Sequence, residues 1–235
     1  MKFAHRPAES RGQFDHGWLR TAHTFSFADY HDPAHVHFRS LRVINEDHVA
    51  GGTGFGMHPH RDMEILTWIL AGSLEHEDSM GHRQVIRPGE VQVMSAGTGV
   101  LHSERNPSPS EPVHLLQIWL FPDRRGLPPR YEQRATDPAA MAGKLLLLAA
   151  PPGAGGTVAI HQDARIHGTR LARGQSVDLP VAPGRGIWVQ VARGSVTVAG
   201  HALAQGDGAA IEDVDRVALA GLGADPAELL VFDLG

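Results

Sequence analysis

The chain has no cysteine. This excludes disulfides and thiolate ligands, so any bound metal must rest on nitrogen and oxygen donors. There is no run of about 18 apolar residues, which excludes a membrane-spanning helix. The opening Met1-Lys2-Phe3-Ala4-His5-Arg6 lacks the apolar core of a secretion signal. A cytoplasmic protein with no membrane partner is therefore expected. Basic charge is also short. Lys and Arg number 21 against 26 Asp and Glu, a net charge of −5, which argues against a nucleic-acid partner. Glycines at 51, 52, 54 and 56 do not make a phosphate loop, because no Gly-Lys-Ser/Thr and no helix follow.

What the chain has is histidine, 16 in all, and four potential ligands stand out by spacing. His58 and His60 form one pair, and His102 and Glu104 form another. On a strand, residues i and i+2 share a face, so each pair can aim both side chains at one point. Two such strands facing each other inside a barrel give a site of three His and one carboxylate. His76, His82, His114 and His201 lie on expected hairpins or turns and are assigned no role. The histidines at 31, 35 and 37 surround an Asp32-Pro33 turn signal and read as a solvated loop.

The segments around the pairs read as short strands punctuated by Gly and Pro. Expected strands include 63–70, 73–77, 84–86, 91–94 and 113–120, the signature of an all-β sandwich or barrel. Strands are also expected at 23–27, 40–45 and 144–149. Trp18, His23 and Phe27 could line a substrate pocket, but plugging one end of the barrel is the preferred reading. The last third repeats the plan: 187–198 parallels 65–77 with Gly194-Ser195 where Gly72-Ser73 stood, and 228–234 parallels 114–120. The second copy lacks the ligand pairs. Two tandem β-barrels follow, residues 1–135 with a metal site and 136–235 without one.

These residues resemble the cupin signatures, and their particular form is similar to the pirin family of bicupins. The first signature is carried by Gly52, His58-Pro59-His60, Glu64 and Gly72. The second is carried by Gly89, Ser95-Ala96-Gly97, His102 and Asn106. Glu64 is followed by one residue more than the general signature allows before Gly72, and Ser95 stands for the usual Pro. Met94-Ser95-Ala96-Gly97 with His102-Ser103-Glu104, His16-Gly17-Trp18-Leu19 and His23-Thr24-Phe25-Ser26-Phe27 are pirin-like.

The resemblance implies two jelly-roll-like cupin barrels and one divalent transition metal ion on His58, His60, His102 and Glu104. Iron is the expected ion, with nickel, copper, manganese or zinc as alternatives. Glu104 is preferred over Glu64 as the carboxylate ligand, and Gln92, Gln117 and Glu64 are candidates to orient the ligands. The implied activity is dioxygenation of flavonols such as quercetin, opening the heterocyclic ring with O2 and releasing CO, with Glu104 as possible general base. The implied partners are a small aromatic substrate and O2. The alternatives are a non-enzymatic, metal-dependent regulator that binds a protein partner, or a metal enzyme acting on another small substrate. A monomer is expected, since two fused barrels can cover each other's open faces.

Overall fold

The computed structural model describes residues 1–235, the side chain of Pro138 excepted. The chain forms two compact units. One comprises residues 12–136 with 158–162; the other comprises 1–11, 137–157 and 163–235. The units interleave along the chain, where a single division between 135 and 136 was expected.

The unit that carries the ligand pairs is built from two antiparallel sheets. The larger runs in the order Arg130–Ala135, Glu90–Ser95, Glu64–Ala71, Val113–Leu120, Leu41–Val49, Leu19–His23, Gly12–Asp15. The smaller runs Gly54–His60, Val100–Arg105, Leu74–Asp78, Arg83–Ile86. Sequence and strand agree because the side-chain period is two. In Leu74–Asp78, for example, Leu74, His76 and Asp78 are buried while Glu77 is exposed. Apolar clusters around Ile69, Leu74, Ile86 and Leu115, and around Ile65, Met94 and Val100, form the core. The expected strand at 23–27 is a difference. Regular pairing ends at His23, and Ser26 then turns its hydroxyl to the carbonyl of Asp32 at 2.9 Å, a local bond that competes with the ladder.

The other unit repeats the plan with Lys2–Arg6 as an edge strand on Gly208–Glu212. Its central strand Ala227–Leu234 lies between Gly186–Arg193 and Ala164–Leu171. In the same way, Val113–Leu120 lies between Glu64–Ala71 and Leu41–Val49. Equivalent details recur. Gly72 has φ +75° and Gly194 has φ +71°. A methyl at Gly72 would meet the carbonyl oxygen of Pro112 at 2.8 Å, and one at Gly194 would meet that of Pro226 at 3.1 Å. Each hairpin thus needs glycine for both conformation and close approach. The extra residue that separates Glu64 from Gly72 is a β-bulge at Leu70, between the pairs Ile69↔Leu115 and Ala71↔His114. Ala192 makes the same bulge between Val191↔Leu229 and Arg193↔Glu228.

Candidate metal centre

The strand Val100–Arg105 buries Val100, His102 and Glu104 and turns Leu101 outward. Its neighbour Gly54–His60 places His58 directly opposite His102 and His60 opposite Val100. The pairing slips by one residue before Glu104, which faces Phe55. Glycine at 54 is required there, because a Cβ would lie 2.2 Å from the backbone oxygen of Glu104. The ligand nitrogens of His58, His60 and His102 lie within 4.8 Å of one another, the scale of a single metal site. Their ring centroids are 4.4–4.8 Å apart. Glu104 lines the same cavity as His58 and His60, and its carboxylate lies within 4.8 Å of the ligand nitrogens of His102 and His76.

Hydrogen bonds decide which nitrogens are free. The His58 Nδ1–H donates to the carbonyl of Gly56 at 2.7 Å, which leaves Nε2 as the lone-pair atom. The carboxylate of Asp78 accepts from His76 Nε2–H at 3.1 Å. His76 Nδ1 then accepts from His102 Nδ1–H at 3.4 Å. His102 Nε2 is left with its lone pair, and that atom is buried with no hydrogen-bond partner. A buried orphan of this kind needs an explanation, and a metal ion supplies one. His60 and His102 are also held neutral, as ligands must be. Burial, and then the neighbouring His102 and His58, push His60 down to about 4. Burial, and then His58 and His76, push His102 down to about 3. The donor set therefore fits a divalent ion with open coordination positions.

The carboxylate is oriented as well. Gln117 Nε2 donates to both oxygens of Glu104 at 3.0 and 2.9 Å, and Thr67 Oγ1 donates to Gln117 Oε1 at 3.0 Å. Gln117 thus positions the carboxylate rather than an imidazole. Glu64 is elsewhere: three residues from Thr67, it sits on the opposite strand face and accepts from Ser95 Oγ at 2.8 Å. Burial raises its pKa. Gln92 is buried, with its Oε1 unpaired.

His76 was missed in the sequence. It is fully buried beside His102, not a spectator on a hairpin. Its i, i+2 relation to Asp78, on a strand paired with His102 and Glu104, was the available signal. Trp18 and Phe27 were also misjudged. Both line a cavity of about 430 Å³ together with Asn45, Asp47, Phe55, His58, His60, Glu104, Gln117 and Trp119. His23 packs behind, its ring 5.1 Å from that of Phe27. Phe27 contacts Trp119, and Trp119 contacts His60, edge to face at 5.3 and 4.8 Å. In the loop at 31–37, Asp32 is bonded to His35 at 2.7 Å.

In the other unit the register puts apolar residues at the corresponding positions. Counted from Gly194 as His76 is from Gly72, the counterpart of His76 is Val198. Val198 pairs with Leu219, as His76 pairs with Glu104. Val217 then replaces His102, and Leu179, opposite it, replaces His58. Val189 and Val231 replace Thr67 and Gln117. All six are buried in one apolar cluster. Among the described residues, candidate metal groups occur only around His58–His60–His102 and His76–His102–Glu104.

Comparison with known proteins gives the same picture. Residues 4–120 match the Pirin family model, and residues 147–234 match that of the quercetinase C-terminal cupin domain. Quercetin 2,3-dioxygenase of Escherichia coli (strain K12) is 46% identical over 230 residues, 97% of either chain. The crystal structure of YhhW from Escherichia coli superposes with a TM-score of 0.94 at 44% identity, covering 100% of this chain and 98% of that one. The structure of the bacterial pirin YhhW in complex with nickel(II) gives a TM-score of 0.93 at 42% identity, covering 99% of each. Sequence, two-barrel architecture and family match agree, and this chain is a member of the pirin family.

Proposed function

We propose that this protein is a metal-dependent dioxygenase that opens the heterocyclic ring of flavonols such as quercetin with O2 and releases CO. The ligands proposed for its metal are His58, His60, His102 and Glu104. The observation that supports this reading is that His58, His60 and a clamped Glu104 line an aromatic-walled cavity, with the ring nitrogens of His102 close to those of both histidines. The likeness to a quercetin 2,3-dioxygenase along nearly the whole chain supports it.

A divalent metal at this position supplies Lewis acidity and, if redox-active, a route for dioxygen chemistry. Iron is the ion we propose; nickel is the first alternative, given the nickel(II) complex of a homologous pirin. The chain's own side chains do the rest. Trp18, Phe27, Phe55 and Trp119 offer flat apolar faces to an aromatic substrate and exclude water. Glu104 accepts the proton of the substrate hydroxyl that enters the centre. Gln117, fixed by Thr67, holds that carboxylate in one orientation throughout. Asp78 and His76 hold His102 in the tautomer whose Nε2 is free.

The test is turnover. Metal-free protein is reconstituted in turn with Fe(II), Ni(II), Mn(II), Cu(II) and Zn(II), and loss of quercetin absorbance, O2 uptake and CO release are followed together. Stoichiometric O2 uptake and CO release with at least one ion, abolished in His58→Ala and Glu104→Ala, is the expected result. Tight metal binding without O2 uptake under any condition refutes the dioxygenase and favours a metal-dependent regulator.

A further inference from the structure

Two polar side chains in the cavity remain unaccounted for. Asn45 and Asp47 lie two residues apart on the strand Leu41–Val49, so they share its inner face. Each is only 4% exposed, and both line the cavity that His58, His60 and Glu104 border. Asn45 Oδ1 and Asp47 Oδ1 are buried without a hydrogen-bond partner. Of the other polar groups of the wall, His58 is engaged with Gly56 and Gln117 with Glu104 and Thr67, and the indole nitrogen of Trp119 is likewise buried without a partner. Leaving such oxygens unpaired is costly, and a fold gains nothing from two of them on one strand face.

Their position relative to the centre is set by register. Asn45 stands directly opposite Gln117, the residue that grips Glu104. It is therefore about one strand spacing, ~4.8 Å, from that residue. Asp47 lies one same-face step further along. On this strand the unsatisfied atoms are both acceptors, so a ligand complementary to them brings donors. Two carboxylates on one wall, Asp47 and Glu104, disfavour phosphate or carboxylate ligands. The aromatic walls call for a flat ring system.

We propose that Asn45 and Asp47 form a hydroxyl-reading subsite that selects polyhydroxylated aromatic substrates over those with a single hydroxyl. The inference rests on the flavonol reading above and deepens it: one hydroxyl enters the metal centre, and another donates to Asn45 or Asp47. Burial, with Glu104 and Glu46 adding to it and Thr21 partly opposing it, raises the Asp47 carboxyl to about 7. Either protonation state retains an oxygen that accepts.

The test is equilibrium binding to the full-length, Ni(II)-loaded protein under argon, read by quenching of tryptophan fluorescence. The two probes are quercetin and 3-hydroxyflavone; the latter keeps the hydroxyl next to the carbonyl and lacks the others. Wild type is expected to bind quercetin at least 10-fold more tightly than 3-hydroxyflavone, the discrimination that satisfying two buried acceptor oxygens supplies whether or not they are charged. Asn45→Leu and Asp47→Leu should cut that ratio below threefold without weakening 3-hydroxyflavone. Asp47→Asn, which keeps an acceptor oxygen, should preserve it. If the Leu variants do not fold, Asp47→Ser, too short to reach, carries the test by the same ratio. An unchanged ratio in the Leu or Ser variants, or no preference in wild type, overturns the subsite while leaving flavonol binding intact. No quenching by either flavonol in wild type overturns the flavonol reading and this inference with it.

Discussion

Asp78→Asn is a change of one atom remote from the metal. Oδ1 of Asp78 accepts from the backbone N–H groups of Met80 at 2.9 Å and His82 at 3.1 Å. In the variant the amide oxygen stays on that side, since only an acceptor fits there. The new NH2 group then faces His76 Nε2, 3.1 Å from the replaced oxygen. His76 must present a lone pair at Nε2 and carry its proton on Nδ1. That proton points at His102 Nδ1, 3.4 Å away, and drives His102 to the tautomer with hydrogen on Nε2, the atom proposed to bind the metal. Loss of such an outer partner costs about 10–100-fold in metal affinity, which is roughly 1.4–2.8 kcal/mol. Competitive titration against a chelator of known affinity measures it. His82→Ala is the control: His82 also bonds Asp78, but its side chain is 39% exposed, and its loss should change affinity less than about threefold. If Asp78→Asn binds metal within threefold of wild type, with unchanged melting behaviour, the proton path from Asp78 through His76 to His102 is wrong.

Other outcomes follow from the same packing. Gln117→Leu removes both donors to Glu104 and the partner of Thr67; metal affinity should fall about 10-fold or more, and denaturant unfolding should show a loss of about 1–3 kcal/mol. Asp47→Asn should stabilise the metal-free protein, and more so at high pH. The folded carboxyl titrates at about 7 against 3.8 for the ordinary group, so its contribution is intact below pH 3.8 and is lost as pH rises toward 7. Removing the charge should therefore gain roughly 2–3 kcal/mol more at pH 8 than at pH 5, in urea titrations at the two values. Gly72→Ala and Gly194→Ala force a side chain into a left-handed turn against backbone; each should cost at least about 1–2 kcal/mol by urea unfolding.

The clustering of His58, His60 and His102, with Glu104 on the same cavity, was legible because strand geometry has a period of two. His58, His60, His102 and Glu104 needed only extended segments to share a face. The repeat was legible from Gly72-Ser73 and Gly194-Ser195, because a hairpin that brings backbone against backbone admits only glycine. The N-terminal strand Lys2–Arg6 was not legible: its partner, Gly208–Glu212, lies some two hundred residues away, and nothing local encodes that pairing. His76 was hidden for a related reason. Its partner Asp78 is local, but its burial follows from the neighbouring strand Val100–Arg105. Trp18 and Phe27 are aromatic whether they plug a barrel end or line a cavity; only their placement around Trp119 and His60 separates the two readings. Leu70 shows the reverse case, an extra residue visible in the sequence whose meaning, a bulge shared with Ala192, appears only in the register.

The most direct test of the account is the number of metal ions held per chain, by equilibrium dialysis and elemental analysis. Wild type, the alanine variants of His58, His60, His102 and Glu104, and Glu64→Ala would be compared. One ion per chain is expected in wild type and in Glu64→Ala, with tight binding lost in each of the other four, and no second ion in the barrel where Leu179, Val217 and Leu219 stand at the positions of the proposed ligands. Full occupancy in Glu104→Ala with loss in Glu64→Ala, or a metal that survives removal of all three histidines, would contradict it.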